Sequence, residues 1–238
     1  MDVAENKKTA FRQGLRDGIP IALGYAFVSF GFGILAAESD LSVFAAVLLS
    51  LTNMTSAGQA AAVGIIATAG GYVQMALAQL VINVRYSLMG LSLSQKFDES
   101  VTLPHRFLVS FGITDEIFAV AASKSRTVGK FYMYGLILLP YLFWALGTAV
   151  GALAGNLLPE TLKSALGILL YGMFVAIVVP PAKKSRGVLC ALVIACSLSV
   201  AIYYLFPFIP NGFAVIISAP IAAALAALFF PTKKEGVK

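Results

Sequence analysis

The stretch QLVINVRYSLMG, from Gln79 to Gly90, decides how the rest of the chain is read. It lies in a run from Tyr72 to Leu93 that is otherwise apolar enough to sit in hydrocarbon. Arg85 is costly there, because an arginine at a membrane centre is disfavoured by roughly 2.5–3.5 kcal/mol on insertion-based scales. Such a charge persists when it faces protein or water and has a partner. The next apolar run offers one in Thr114, Asp115 and Glu116. With a rise of about 1.5 Å per residue, Arg85 lies about 14 Å from Ser94, and the two acids lie roughly 12–14 Å from Phe107. The three ionisable groups are therefore expected at matching depth on sequential runs.

The composition supports the membrane setting. Of 238 residues, 59% are hydrophobic and 12% charged, against about a quarter charged in soluble domains. The fold class predicted is all-α, a polytopic helical membrane protein. A cytoplasmic tail is expected over 1–18, a single transmembrane domain over 19–230, and a second cytoplasmic tail over 231–238. No cleavable signal peptide is visible, because the first 18 residues are polar and mixed in charge. A spanning helix needs roughly 20 apolar residues. The runs fall at 19–37, 42–69, 72–94, 107–122, 131–155, 162–182, 187–206 and 210–230, which reads as about eight spans. The second is long for one straight helix and the fourth is short, as expected of broken or re-entrant segments.

Loop charges set the orientation. Lys7, Lys8, Arg12 and Arg16, then Lys124, Arg126 and Lys130, then Lys183, Lys184 and Arg186, then Lys233, Lys234 and Lys238 fall on one side of an eight-span layout. Lys96, Arg106 and Lys163 fall on the other. This bias places both termini in the cytoplasm. It also explains the net charge of +6 without any nucleic-acid partner. A two-half repeat in parallel orientation fits the first and fifth spans, which hold Pro20 with Gly24, Gly31 and Gly33, and Pro140 with Gly147, Gly151 and Gly155. The last three glycines read as close helix packing. Tyr132, Tyr134, Tyr203 and Tyr204 read as interfacial anchors. Cys190 and Cys196 lie six apart on one helix, too badly oriented for a disulfide, and read as small apolar fillers. His105 is a lone loop histidine, so no metal site is expected and no cofactor is called for.

On a helical wheel Gln79, Asn83, Tyr86, Ser87 and Gly90 share one face of the third run, with Arg85 on the opposite face. Neither side is then free for lipid, so this helix is expected to be surrounded by protein or unwound near Asn83. Three readings of the charged set stay open. It is a midplane site for a zwitterionic or ionic substrate or a proton; or a structural ion pair; or part of a segment, 107–122, that dips in from the surface and keeps its acids wet. With two acids and one arginine, one carboxylate is left without a cation from this pair. A second polar element, Ser50 to Ala61, carries Asn53, Ser56, Gly58 and Gln59 at mid-depth. It reads either as an interrupted helix, with Gly58 relaxing the backbone, or as a polar helix contact. There is no phosphate-binding loop, no zinc-protease motif, and no Ser/His/Asp set around the lone histidine, so the chain is not expected to be an enzyme.

The same residues carry a resemblance. Gly18-Ile19-Pro20 followed by Gly24-Tyr25 and Phe32-Gly33-Ile34-Leu35-Ala36, then Ser56-Ala57-Gly58-Gln59, then Asn83-Val84-Arg85-Tyr86 with Gly90-Leu91-Ser92, and finally Thr114-Asp115-Glu116 stand in the order seen in the AzlC family. The chain resembles that family, the large subunit of bacterial branched-chain amino-acid exporters, over roughly 10–230. Two departures concern the substrate: Thr55 and Ser56 stand where family members often show a less polar pair, and Tyr86 stands where they often show histidine.

The resemblance implies a bacterial inner-membrane, multi-pass protein that exports branched-chain or similar apolar amino acids. It also implies a small AzlD-like membrane subunit as partner. Carried over residue by residue, Gln59, Asn83, Arg85, Tyr86, Asp115 and Glu116 become the candidate substrate-binding set, with Asp115 and Glu116 as candidates for coupling to the proton-motive force. Met54, Met89 and Phe118 are apolar side chains suited to an aliphatic tail. The alternative is a membrane scaffold or channel-like subunit whose ion pair is structural and which moves no amino acid.

Overall fold

The computed structural model describes residues 7–155, 178–209 and 211–230, with the single positions 159, 161, 172 and 175. Its regular elements among the described residues are helices joined by short turns and loops, with an isolated bridge between Phe97 and Val128. The helices are α1 (Lys7–Glu38), α2 (Val43–Thr52), α3 (Ser56–Ala67), α4 (Tyr72–Ser94), α5 (Leu103–Phe111), α6 (Asp115–Ser123), α7 (Lys130–Gly155), α8 (Arg186–Leu205) and α9 (Asn211–Phe229). Four of them, α1, α4, α7 and α8, are long and apolar enough to cross a membrane. The run predicted at 162–182 lies largely outside the described residues, as does the tail 231–238. α1 begins at Lys7, so the polar segment read as a tail is already helical from there.

The chain divides into two units, Met1–Val63 with Asn83–Leu170, and Gly64–Ile82 with Tyr171–Lys238. In the first unit, α1 and α7 form the spine. Gly14 faces the main chain of Tyr132 to Leu136, and Gly33 faces that of Thr148 to Ala152. Both helices therefore ascend together. A side chain at Gly33 or Gly151 would strike the partner's backbone, so the small-residue pattern acts as close packing. Asp17 and Lys124 pair at 2.6 Å where α1 enters and α6 ends. This fixes a basic end of the unit, with Arg126 and Lys130 in the same loop.

Two hairpins of half-length helices lean on this spine. Ser50 lies 2.7 Å from Thr148, and the Leu51 carbonyl, further along α2, accepts from Tyr141 at 3.0 Å. α2 thus runs down α7. Gln59 then bonds back to Ser50 at 3.0 Å, and Val63 packs with Phe32, Ala46 and Ala152, so α3 climbs back. The second hairpin enters from the basic end. His105 lies 2.6 Å from the Tyr134 hydroxyl and Phe111 stacks edge-on against Tyr141, so α5 ascends α7. Thr114 meets Tyr25 while Lys124, just past α6, meets Asp17, so α6 descends α1. Each arm has 9 to 12 residues, about 13–18 Å of helix, roughly half the ~30 Å hydrocarbon thickness.

Each of the irregular runs is broken into two short helices that fold back as a hairpin, and where about eight spans were expected, four of the described helices are long and apolar enough to cross a membrane. The segment around 107–122 returns to the end of the unit from which it starts, and 42–69 turns back on itself. Lys96 donates to the Ala122 carbonyl, Asp98 pairs with the Val128 carbonyl at 3.1 Å, and Lys130 lies 3.0 Å from His105. Lys96 and Arg106 therefore sit at the basic end, beside Lys124, Arg126 and Lys130, and not opposite them. The first break also falls elsewhere than Gly58, which lies inside α3. The chain turns at Asn53, Met54 and Thr55.

The freed backbone groups at both turns are satisfied locally, as a low-dielectric setting demands. Thr52 bonds the Leu48 carbonyl at 2.7 Å, and Thr55 receives the Gly58 amide at 3.4 Å. Thr114 caps α6, receiving the Ile117 amide at 3.3 Å. Gly112 lets the second turn press against Ile137, which a Cβ would displace. Tyr132, read as an interfacial anchor, is buried and bonds Asp17 at 2.8 Å.

In the second unit, α8 and α9 pack together through Ser199 and Ser218, 3.1 Å apart. Tyr203 and Tyr204 are exposed near the end of α8. Cys190 and Cys196 are free thiols, and Cys196 is exposed, not packed as a filler.

Candidate functional site

α4 positions the arginine. It is continuous through Asn83, so the helix does not unwind there, and it leaves Val84, Leu88 and Leu91 exposed. The wheel reading expected protein on all sides, and this chain by itself leaves that third, apolar face uncovered. The wheel also separates Arg85 from Tyr86, but the arginine's long side chain folds back. Its guanidinium carbon lies 4.8 Å from the centre of the Tyr86 ring, and Nη2 donates to the Tyr86 hydroxyl at 3.0 Å. Cation–π and hydrogen-bond contacts together hold the charge on Tyr86's side of the helix.

The depth match holds. Arg85 Nη1 lies 3.0 Å from Asp115 Oδ2, on the first residue of α6. The path differs from the rise count, because the helix is broken between Phe111 and Asp115, and it is the contact itself that sets the two groups at one depth. Asp115 and Glu116 both occupy the first turn of α6, where the exposed amides of a helix N-terminus favour negative charge. The pair is not sealed. The Arg85 side chain is 42% exposed and that of Asp115 33%, and buried Arg85 Nε has no acceptor among the described residues.

Glu116 has a different partner. Tyr25 of α1 places its hydroxyl 2.5 Å from Glu116 Oε2 and 2.6 Å from Thr114 Oγ1. Tyr25 is buried and its ring meets Trp144 edge-on, centroids 5.0 Å apart. Sequence reasoning assigned Tyr25 and Trp144 no role. An aromatic on an apolar helix gives no periodic signal of its own, and only its place beside Gly24 in the family-like stretch marked it.

Gln59 is not brought to the arginine. Fully buried, its amide donates to Ser50 at 3.0 Å and accepts from the Trp144 indole at 3.0 Å, while Ser50 meets Thr148. These bonds fasten the first hairpin to α7.

Asn83 and Tyr86 line a cleft of about 200 Å³. Thr52, Asn53, Met54 and Thr55 supply one wall from the first hairpin's tip, and Ser110, Phe111 and Ile113 supply another from the second's. Tyr86 closes the gap by donating to Thr55 at 3.4 Å. Arg85 thus stands one hydrogen bond behind the cleft wall. Of the apolar side chains expected at a substrate tail, Met54 lines the cleft, while Met89 and Phe118 pack against the core instead. The arrangement offers polar groups, an adjacent cation and carboxylate, and a small apolar wall where two hairpin tips meet.

Comparison with known proteins agrees with the sequence pattern. The inner membrane protein YgaZ of Escherichia coli is 29% identical over 77% of this chain and 78% of its own length. A membrane protein of Archaeoglobus fulgidus is 31% identical over 75% of the chain and 78% of its own length. The branched-chain amino acid transport protein AzlC of Bacillus subtilis is 25% identical over 96% of the chain and 89% of its own length. No solved structure matches. The family model for AzlC protein matches residues 20–158, which takes in both hairpins and every residue of the cleft, and the chain belongs to the AzlC family.

Proposed function

We propose that this protein exports branched-chain or similarly apolar amino acids across a bacterial inner membrane, together with a small AzlD-like membrane subunit and driven by the proton-motive force. The observation that carries the reading is the cleft between the hairpin tips. Its volume lies below the roughly 300–1,000 Å³ of pockets for drug-sized ligands and suits a small molecule. A zwitterionic amino acid with an aliphatic side chain needs a cation, an anion and an apolar wall. Arg85 is the cation for the carboxylate, Asp115 its resting partner and the acceptor for the ammonium group, and Met54 with Ile113 the wall that removes the tail from water. Asn83 and Tyr86 complete the polar lining. The partial exposure of Arg85 and Asp115 favours this over a structural ion pair, which gains nothing from access. The transport named for the Bacillus subtilis relative and the inner membrane named for the Escherichia coli relative support substrate class and location.

The test is efflux of labelled leucine from cells carrying the chain with its neighbouring small membrane gene. Expected is faster efflux than in cells lacking either, and its loss in Arg85→Ala. Efflux that is equal with and without the chain, or untouched by Arg85→Ala, would return the ion pair to a purely structural role.

A further inference from the structure

We infer that Glu116 takes the coupling proton and that Tyr25 is its positioning residue, with Asp115 serving Arg85 instead; this rests on the proton-driven export proposed above. The two acids are adjacent in sequence, yet the structure sorts them. Asp115 faces a guanidinium at 3.0 Å. Glu116 faces a neutral phenol at 2.5 Å. A carboxylate already neutralised by arginine is a poor proton carrier, since protonation would strand the cation. The acid whose partner is a hydroxyl can change charge without that penalty.

The hydroxyl of Tyr25 touches two oxygens, Glu116 Oε2 and Thr114 Oγ1, but it carries one proton. The arrangement therefore has two forms. With Glu116 ionised, Tyr25 donates to the carboxylate and accepts from the Thr114 hydroxyl. When one proton from the aqueous phase binds Glu116 Oε2, the acid becomes the donor, the Tyr25 proton turns to Thr114, and the Thr114 hydroxyl proton turns away from Tyr25. Release of the proton reverses the Tyr25 and Thr114 hydroxyl rotations, and the O–H bond of the acid is the only covalent bond formed or broken. Thr114 is the cap of α6 and keeps the Ile117 amide as donor in both forms. The proton state of Glu116 is thus tied to the tip of a re-entrant helix that also lines the cleft through Ile113.

Tyr25 cannot easily swing away. It is buried and set against Trp144, itself held by Gln59. The charged and titratable groups around Glu116 are few. α1 presents Tyr25, α4 presents Arg85 and Tyr86, and α6 presents Asp115. α7 has no charged residue after Lys130. The Lys124–Asp17 pair lies about 12 Å further along α6.

The full-length protein, with its partner subunit, in liposomes loaded with labelled leucine tests this. The flux is read with and without an imposed pH gradient, and as a function of pH. Wild type is expected to respond to the gradient. In Glu116→Gln the flux no longer responds, whereas in Asp115→Asn it is smaller but still responds. Tyr25→Phe keeps the ring on Trp144 and removes the hydroxyl. It is expected to shift the pH profile by about one unit while the gradient response persists. A gradient response in Glu116→Gln, or a Tyr25→Phe profile superimposable on wild type, overturns the assignment and leaves export standing. A wild type that moves no leucine overturns both.

Discussion

The two re-entrant hairpins share a geometry and differ in chemistry. In each, a short helix reaches about half-way, the chain turns over three residues, and a threonine caps the returning helix, Thr55 in one and Thr114 in the other. Main-chain bonds repeat as well: the Gln59 amide bonds the Thr55 carbonyl at 2.9 Å, and the Phe118 amide bonds that of Thr114 at 2.8 Å. After the cap the two diverge. The first hairpin continues with Ser56 and Gln59 and is fastened by neutral groups to Trp144, Ser50 and Thr148. The second continues with Asp115 and Glu116 and is fastened by Arg85 and Tyr25. Neutral networks of this kind specify one arrangement and rigidify it. A charged one changes with protonation or ligand. The comparison teaches that the first tip is held by neutral bonds and the second by charged groups; under the function proposed above, the first is the anchor and the second the responsive element.

Breaking the charged side should have the largest effect. Arg85→Ala is expected to lower leucine flux at least about tenfold, the equivalent of about 1.4 kcal/mol, with the folded protein still recovered from membranes. Breaking the neutral side should cost stability instead. Gln59→Ala leaves the buried Trp144 indole without its acceptor and takes from Ser50 one of its two partners, which costs about 1–3 kcal/mol in denaturation of the detergent-solubilised protein. Flux per folded molecule should change far less than in Arg85→Ala. Thr55→Ala and Thr114→Ala sharpen the contrast. Each loses a cap worth about 1 kcal/mol, but only Thr114→Ala should also alter the pH profile of transport. The smallest effect is expected of Asp17→Asn at the basic end, where the pair with Lys124 is partly solvated; about 0.2–1 kcal/mol is the range for such pairs.

Much of this was legible in the residues. Arg85 in an apolar run demanded a partner, and equal spacing from the run ends pointed to Asp115. The overlong and short runs marked the hairpins, because half-length helices leave lengths that no straight crossing explains. The side of entry was not legible. A hairpin and a crossing bury the same apolar residues, and the charge count alone accepted Lys96 and Arg106 on the far side. The contact that brings Lys96 to the end of α6, its bond to the Ala122 carbonyl, joins residues far apart in the chain and has no local signature. The fold of Arg85 onto Tyr86 was hidden for another reason. A wheel places Cα atoms, whereas a guanidinium on a long flexible stem is placed by the groups it finds.

The arrangement stands or falls on the side from which α5 and α6 enter. Single cysteines at Asp40, Glu99 and Arg126, in a chain whose Cys190 and Cys196 are replaced by serine, can be labelled with an impermeant maleimide in intact cells and in inverted vesicles. Glu99 and Arg126 are predicted to label from one side and Asp40 from the other. Labelling of Glu99 together with Asp40, and Arg126 alone, would make 107–122 a crossing and dissolve the meeting of the two tips.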